Sequence, residues 1–431
     1  MKRLLILASK LGYQTRSFAE AAARLSAEVV FGTDRCGQLD DPWADGAVPL
    51  HFENPEQAGH LLANTVRGQH VDAILALGDR PTATAAHAAR ALGLTYNSPD
   101  SVENCRTKLR QREVLSVAGM PVPEFFAFSF DEEIPRVLPR VKFPCVVKPL
   151  SLAASQGVIR ANSASEFMVA AKRVKTLLES PEIRATREPS LDRMLVERYI
   201  PGEEVAIEAV LTNGELRVLA IFDKPGHPEG PYFEESIYVT PSQQPALAQA
   251  SLNAMLRAAA RALGLTHGPV HAEFRLNEDG PWVLEISPRP IGGLCSRALR
   301  FGPEKIFLEE LLVRHALGLE GSDLSREREA SGVMMIPVPR SGILESVEGE
   351  AAAASTPGVT ELRITARLHD FIAAWPEGSS YLGFIFARGN EPAEVVAALQ
   401  QAHAKLNFSL SDRLPVEHPL ASKASARASE D

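Results

Sequence analysis

The stretch His271-Ala-Glu-Phe-Arg-Leu-Asn-Glu-Asp-Gly-Pro-Trp-Val-Leu-Glu-Ile-Ser-Pro-Arg-Pro-Ile-Gly-Gly293 concentrates side chains that could do chemistry. Two runs of period-two alternation flank Glu278-Asp279-Gly280, and a three-residue loop ending in Gly is a common hairpin connection. Pairing Asn277 with Pro281 sets Phe274 opposite Leu284, Glu273 opposite Glu285 and His271 opposite Ser287. One face is then apolar, with Val270, Ala272, Phe274, Leu276, Trp282, Leu284 and Ile286; the other carries His271, Glu273, Arg275, Glu285 and Ser287. Directly opposed side chains lie about 4.5 to 5.5 Å apart at Cβ, where like charges repel, so the two glutamates call for a positive partner. Mg2+, held by one or two carboxylates and substrate phosphates, is one answer. Arg275 or a distant lysine beside a solvated face is the other, and the hairpin alone leaves both open.

Further candidates lie upstream. Phe143-Pro-Cys-Val-Val-Lys-Pro149 reads as a strand with Lys148 at the end of an apolar run, where an ammonium is costly to bury unless it meets an anion. Ser151-Leu-Ala-Ala-Ser-Gln-Gly157 is a small-residue loop whose amides could close over phosphates. After Ser98-Pro-Asp-Ser101 a helix carries Lys108 and Arg112 at i, i+4, hence on one face; a solvated basic face is the plain reading. Gly119-Met-Pro-Val-Pro123 then breaks the chain. A helix over 164–178 runs into a polar segment, 179–193, expected to be a mobile surface insertion. Residues 194–208 read as strand, tight turn at Pro201-Gly202, strand.

These elements follow a first unit of alternating strands and helices. Residues 3–8, 27–32 and 71–77 read as strands; 15–25, 55–68 and 81–92 read as helices. Such alternation implies a doubly wound parallel sheet, with ligands at the carboxyl ends of its strands. Asp34, Gly78 and Asp79 sit at such ends, although Asp and Gly also close turns there. No GxGxxG suggests a dinucleotide.

At 431 residues the chain is too long for one ordinary core and implies two to four domains or subdomains. Its 45% hydrophobic and 23% charged content fit a soluble globular protein. A net charge of -9 argues against nucleic acid as a partner, so an anionic ligand would need locally placed cations. Cys36, Cys105, Cys145 and Cys295 lack CxxC or Cys/His spacing, which argues against zinc and a disulfide framework and suits a cytoplasmic location. The apolar run after Met1-Lys-Arg is too short for a signal peptide, and no apolar stretch reaches the ~18 residues of a membrane helix.

Taken in order, Lys108, Lys148, the loop ending at Gly157, the Glu197-Arg-Tyr-Ile-Pro-Gly-Glu-Glu204 run, the two-carboxylate hairpin and Arg289 resemble the ATP-grasp superfamily over about 101–317. The resemblance implies ATP clamped between two α+β subdomains, about 101–200 and 201–317, behind a doubly wound domain at 1–100. It implies that Lys108 and Lys148 neutralise the phosphates, with Ser155, Gln156 and Gly157 in the covering loop. Glu197 and the backbone of Arg198, Tyr199 and Ile200 would hold the adenine edge, and Glu204 the ribose. Glu273 and Glu285 would hold Mg2+, which Mn2+ could replace, and Arg289 would stabilise the transferring phosphoryl group. Where the family usually has Glu-x-Asn-x-Arg, this chain has Glu285-Ile-Ser287-Pro-Arg289, so Ser287 would be a weak further metal ligand.

The stretch Ile221 to Pro241 resembles the substrate region of the bacterial L-amino acid ligases, as do His271 and Gly292-Gly293. The segment from about 332 to 408 resembles their C-terminal lid, within an expected lid subdomain at 318–414 and before a disordered tail at 415–431. The resemblance implies a carboxylate-amine ligase acting through an acylphosphate on small carboxylate and amine substrates. Gly292 and Gly293 would lead into a helix over 294–300 whose amides bind a substrate carboxylate, and Glu234 or Glu235, helped by His227, would receive an ammonium. Two other readings stay open: an ATP-grasp carboxylase or ribotide-type enzyme using a one-carbon carboxylate, and an ATP-binding protein impaired in catalysis. No membrane partner is expected, and a homodimer stays open.

Overall fold

The computed structural model describes residues 1–9, 12–34, 47–226, 230–233, 236–319 and 324–412. It begins with a parallel sheet of β1 (Arg3–Ala8), β2 (Glu28–Thr33), β3 (Val48–Pro49) and β4 (Ala73–Leu77), in the order β3-β2-β1-β4. Sheets covered on both faces need near-continuous apolar strands. Accordingly Leu4 and Ile6 pack with Phe18 and Ala21 of the helix Tyr13–Arg24, while Leu5 and Leu7 pack with Leu62 and Ala85 on the other side. The helix Arg80–Leu92 starts directly beyond β4, with Asp79 at its N-terminal boundary, so Asp79 emerges at the carboxyl edge of the sheet.

Next comes a small antiparallel sheet of β5 (Phe125–Ser129), β6 (Cys145–Pro149), β7 (Ile159–Ala161) and β8 (Arg193–Arg198), in the order β5-β8-β6-β7. The helix Ala164–Leu178 covers it through Phe167, Ala170, Ala171 and Val174, and begins where the Ser163 hydroxyl accepts from the Glu166 amide at 3.3 Å.

The large sheet contains β9 (Glu203–Thr212), β10 (Glu215–Asp223), β11 (Ile237–Thr240), β12 (Gly268–Asn277) and β13 (Gly280–Ser287). A ribbon of β14 (Arg300–Phe301) and β15 (Ile306–Phe307) follows. The remaining strands are β16 (Ala330–Ile336), β17 (Gly342–Glu348), β18 (Val359–Ile364), β19 (Phe371–Ile372), β20 (Gly383–Gly389) and β21 (Asn407–Ser411). One eight-stranded sheet runs β13-β12-β9-β10-β11-β16-β20-β18, and β19-β17-β21 forms a separate three-stranded sheet. Helix Ala246–Leu263 backs the large sheet, its Leu252, Leu256 and Ala259 meeting Val270, Ala272 and Phe274. Burying a side chain such as Phe274 contributes about 1.5 to 3 kcal/mol. This core fixes the opposite face of β12, which carries His271, Glu273 and Arg275.

Four expectations need correction. The run 194–208 is not a hairpin, because β8 joins the small sheet and β9 the large one; the turn at Pro201-Gly202 carries the chain between sheets. Gly202 has φ +124, and a Cβ there would sit 2.2 Å from the Leu276 carbonyl oxygen, so the crossing requires glycine. The helix carrying Lys108 is two helices, Pro99–Arg106 and Lys108–Val117, broken where extended Thr107 caps the second by accepting from the Arg110 amide. The polar segment 179–193 is tied to the first unit: Arg80 donates to Glu188 at 2.7 Å and to the Thr186 carbonyl at 2.9 Å. Finally, the segment expected as a lid subdomain at 318–414 shares its strands between two sheets: β16, β20 and β18 extend the large sheet beyond β11, while β17, β19 and β21 form a sheet of their own. The expected tail at 415–431 lies outside the described residues. Among the described residues, no helix is long and apolar enough to cross a membrane.

Candidate active site

The three sheets and the C-terminal segment surround a cavity of about 350 Å³. Its floor is the polar face of β9, β12 and β13. Glu273 stands opposite Glu285 and His271 opposite Ser287, as the alternation predicts, but the route to that register differs. The turn is tighter than expected, pairing Asn277 with Gly280, so Phe274 faces Val283. A bulge between Glu273 and Phe274 then restores the expected pairing at the glutamates. Bulges re-aim side chains. Here Val283 enters the core in place of Leu284, and Leu284 joins Glu285 on the cavity wall.

The positive partners of the two glutamates are lysines, joined at Glu273 by His271 Nε2 at 3.5 Å. Lys108 lies 3.0 Å from Glu285, and Lys224 lies 3.1 Å from Glu273 and 2.8 Å from Glu204. Arg275 pairs with Glu204, at 3.0 and 3.2 Å, and reaches the Tyr199 hydroxyl at 3.0 Å. The break at Thr107 explains the reach of Lys108: its amide is held by the Leu150 carbonyl and its ammonium also donates to the Leu152 carbonyl at 2.8 Å. The plain reading of a solvated basic face fails at Arg112, which is fully buried and donates to Glu197 at 2.7 Å and to the Leu284 carbonyl at 2.7 Å.

Lys148 meets its anion inside the protein, Glu197 at 2.6 Å. Burial pushes the Glu197 carboxyl up, but Arg112 and Lys148 outweigh it and hold it below its ordinary value. Burial also pulls the Lys148 ammonium below its usual range despite Glu197. Glu197 is therefore a buried counter-ion whose two oxygens already meet Arg112 and Lys148. Of the three backbone positions assigned to adenine, Arg198 and Tyr199 spend their amides on the carbonyls of Glu124 and Pro144. Glu204, expected at a ribose, is held by Lys224 and Arg275.

Beyond the glutamates lies a second cluster. Arg289 donates to both oxygens of Asp79, at 3.0 and 3.1 Å, and to the Pro290 carbonyl. Burial opposes its charge, yet Asp79 raises the Arg289 guanidinium above its ordinary value. Ser287, the expected extra metal ligand, is buried beside Asp79; burial pushes that carboxyl up, but Arg289, helped by Ser287, holds it below its ordinary value. His271 Nδ1 lies 2.5 Å from Glu208, whose other oxygen accepts from the Ile291 amide at 3.1 Å. Burial would lower the imidazole, but Glu208 and then Glu273 push it up to about 9, so His271 is an imidazolium at neutral pH. The segment after Gly292-Gly293 is a four-residue 3-10 turn, Cys295–Ala298, too short to supply the expected row of free amides. Tyr13, Ile291, Met335 and Tyr381 wall this end of the cavity. His227, Glu234 and Glu235 lie outside the described residues.

The loop 151–157 covers the middle of the cavity, with Ser155 on its wall; Gln156 donates to the Glu377 carbonyl and Gly157 to the Pro376 carbonyl. Sequence reasoning missed Glu208, Lys224 and the role of Asp79. Glu208 carried a readable signal, a carboxylate inside the apolar run Val205-Ala-Ile-Glu-Ala-Val-Leu211, the argument applied to Lys148.

Residues 141–298 match the ATP-grasp domain family and residues 19–95 the ATP-grasp N-terminal domain, each over the part of the fold that supplies the cavity. The chain belongs to the ATP-grasp superfamily. Residues 334–411 match the L-amino acid ligase C-terminal domain 2. The crystal structure of an L-amino acid ligase from Bacillus licheniformis superposes with a TM-score of 0.80 at 27% identity, covering 96% of this chain and 99% of that one. An uncharacterized protein of Sinorhizobium fredii is 25% identical over 415 residues, 95% of this chain and 84% of its own. Alanine–anticapsin ligase of Bacillus amyloliquefaciens is 26% identical over 238 residues, 52% of this chain and about half, 49%, of the relative. This ATP-grasp protein is a ligase of the kind that forms carbon–nitrogen bonds.

Proposed function

We propose that this ligase condenses an amino acid or a similar small carboxylic acid with an amine, giving an amide or dipeptide, ADP and phosphate. The carrying observation is one cavity in which two carboxylates and Lys108 lead to Arg289 and a charged His271, beneath a wall of apolar side chains. ATP would lie with its phosphates toward Lys108 and Lys148. Glu273 and Glu285 offer the hard oxygen donors that Mg2+ takes together with phosphates, and their present lysine partners show that the position favours positive charge. Bound there, Mg2+ would supply charge neutralisation to the phosphates.

The acid's carboxylate, drawn to Arg289 and His271, attacks the γ-phosphorus; the bond to the ADP oxygen breaks and an acylphosphate forms. The amine nitrogen then adds to the acyl carbon, phosphate leaves, and the nitrogen's proton departs. Such catalysis is mostly positioning and electrostatics. Asp79 fixes the Arg289 fork in one plane, and Glu208 keeps His271 charged, so neither cation must reorganise as charge develops. His271, held between Glu208 and Glu273, adds positive charge to this end of the cavity and orients Glu273. Tyr13, Ile291, Met335 and Tyr381 would receive the acid's side chain, which favours an apolar one.

The test is ADP release from ATP and Mg2+ with carboxylic acids and amino acids supplied singly and in pairs, with mass spectrometry of the products. Release that needs a pair and yields the condensed mass is expected. Release driven by bicarbonate without any amino acid would sink the reading in favour of one-carbon chemistry.

A further inference from the structure

The loop over the phosphates holds itself only in part, through the Gln156 amide on the Ala153 carbonyl at 3.2 Å and the Val158 amide on the Ser155 carbonyl at 3.1 Å. Its tip, Ala154 and Ser155, has φ of +55 and +54, two consecutive left-handed residues that are not glycine. Such backbone persists only where its surroundings over-determine it. Here the surroundings are three successive residues of the C-terminal segment. Trp375 donates its indole N–H to the Ala154 carbonyl at 3.0 Å, the Pro376 carbonyl accepts from the Gly157 amide at 2.8 Å, and the Glu377 carbonyl accepts from the Gln156 side chain at 2.7 Å. The Glu377 carboxylate reaches further, pairing with Arg173 on the helix that backs the small sheet, where the second contact measures 2.8 Å. Arg173 also binds the Tyr232 hydroxyl.

The same C-terminal stretch lines the cavity immediately afterwards, through Ser379, Ser380 and Tyr381. The Trp375 and Tyr381 rings lie 4.9 Å apart, so one indole touches both the loop tip and the apolar wall of the acyl end. The close turn is built in: a Cβ on Gly378 would lie 2.1 Å from the Ala373 carbonyl oxygen.

We propose that Trp375, Pro376 and Glu377 are positioning residues that latch the loop 151–157 shut over the phosphates, protecting the activated acid from water. This rests on the ligase reading. With the latch broken, the strained tip relaxes outward and water adds to the acyl carbon. That regenerates the acid and frees phosphate, so ATP is spent without an amide.

The test compares W375F, E377A, R173E and the charge-exchanged pair R173E/E377R, measuring ADP released per amide formed. In parallel, hydrogen exchange at 151–157 is followed with a nonhydrolysable ATP analogue. The wild type is expected to release one ADP per amide. The single variants should release about fivefold more, with loop exchange about tenfold faster, and the exchanged pair should recover most of both. A merely structural role would lower all rates together and leave the ratio at one. Unchanged ratio and unchanged loop exchange in W375F and E377A would overturn the latch. If no acid and amine yield an amide in the wild type, the ligase reading fails; faster loop exchange in the single variants would still support the latch, and unchanged exchange would overturn it.

Discussion

The two walls of the cavity are built on opposite principles. The sheet wall of β9, β12 and β13 carries its charges on neighbouring strands and pairs nearly every one crosswise: Glu204 with Lys224 and Arg275, Glu208 with His271, Glu273 with Lys224. The facing wall, the loop 151–157 and residues 375–381, is small side chains, backbone hydrogen bonds and rings. Buried ion pairs fix geometry because removing one partner strands the other. A loop held by a few hydrogen bonds opens at little cost. The protein thus puts electrostatics on the wall of paired charges and, with the latch proposed above, water exclusion on the wall held by a few hydrogen bonds.

The strongest challenge to this division is on the sheet wall. Glu285→Gln should reduce acid-dependent ADP release by about 10³-fold or more while thermal unfolding barely shifts; Arg289→Ala should cut activity as far but also lower the melting temperature, because it leaves Asp79 without its buried partner. An activity loss in Glu285→Gln that tracked unfolding would mean Glu285 is structural. Asp79→Asn keeps the shape but weakens the hold on Arg289, and should lower kcat about 10- to 100-fold with little change in KM for ATP; an equal rise in KM for ATP would place Asp79 at the nucleotide.

A pH experiment sharpens the comparison. The folded value of His271, about 9, lies above its unfolded value. Its charged pairing with Glu208 therefore contributes stability that is complete below about 6.5 and is lost as pH rises through about 9. The melting temperature of the wild type should fall over that interval relative to His271→Gln, and KM for the acid should rise with it. Parallel curves would remove the imidazolium from the account. The smallest effect belongs to the loop wall. Gly157 has φ +72, and a Cβ there would lie 2.8 Å from Pro149, so Gly157→Ala should distort the loop base. It should cost about 1 kcal/mol, seen as an approximately fivefold higher KM for ATP with kcat nearly unchanged.

Much of the sheet wall was legible before folding because period two fixes which side chains share a face. His271, Glu273 and Arg275 fall on one side of β12 however the strand pairs. The bulge was not legible: the turn register and the bulge differ from the simple count by compensating amounts, and between them Trp282 and Leu284 leave the expected apolar face while Val283 enters it. Partners distant in sequence were also hidden. Lys148 announced that it needed an anion, but not that Glu197 would supply it. Asp79 announced a strand end, but not that it would grip Arg289, 210 residues later. The crossing at Pro201-Gly202 misled because turn chemistry is local, whereas choosing a sheet depends on the whole fold.

The continuous eight-stranded sheet has a practical consequence for anyone dividing the chain. Ending it near residue 317, where the ATP-grasp resemblance stops, would strip β16 from β11 and leave Ile237–Thr240, buried in the intact protein, as a bare apolar edge. Such edges recruit strands from other molecules. The shortened protein should gather into aggregates instead of persisting as a half-enzyme, so the catalytic floor and the C-terminal segment would have to be inherited, expressed and exchanged together.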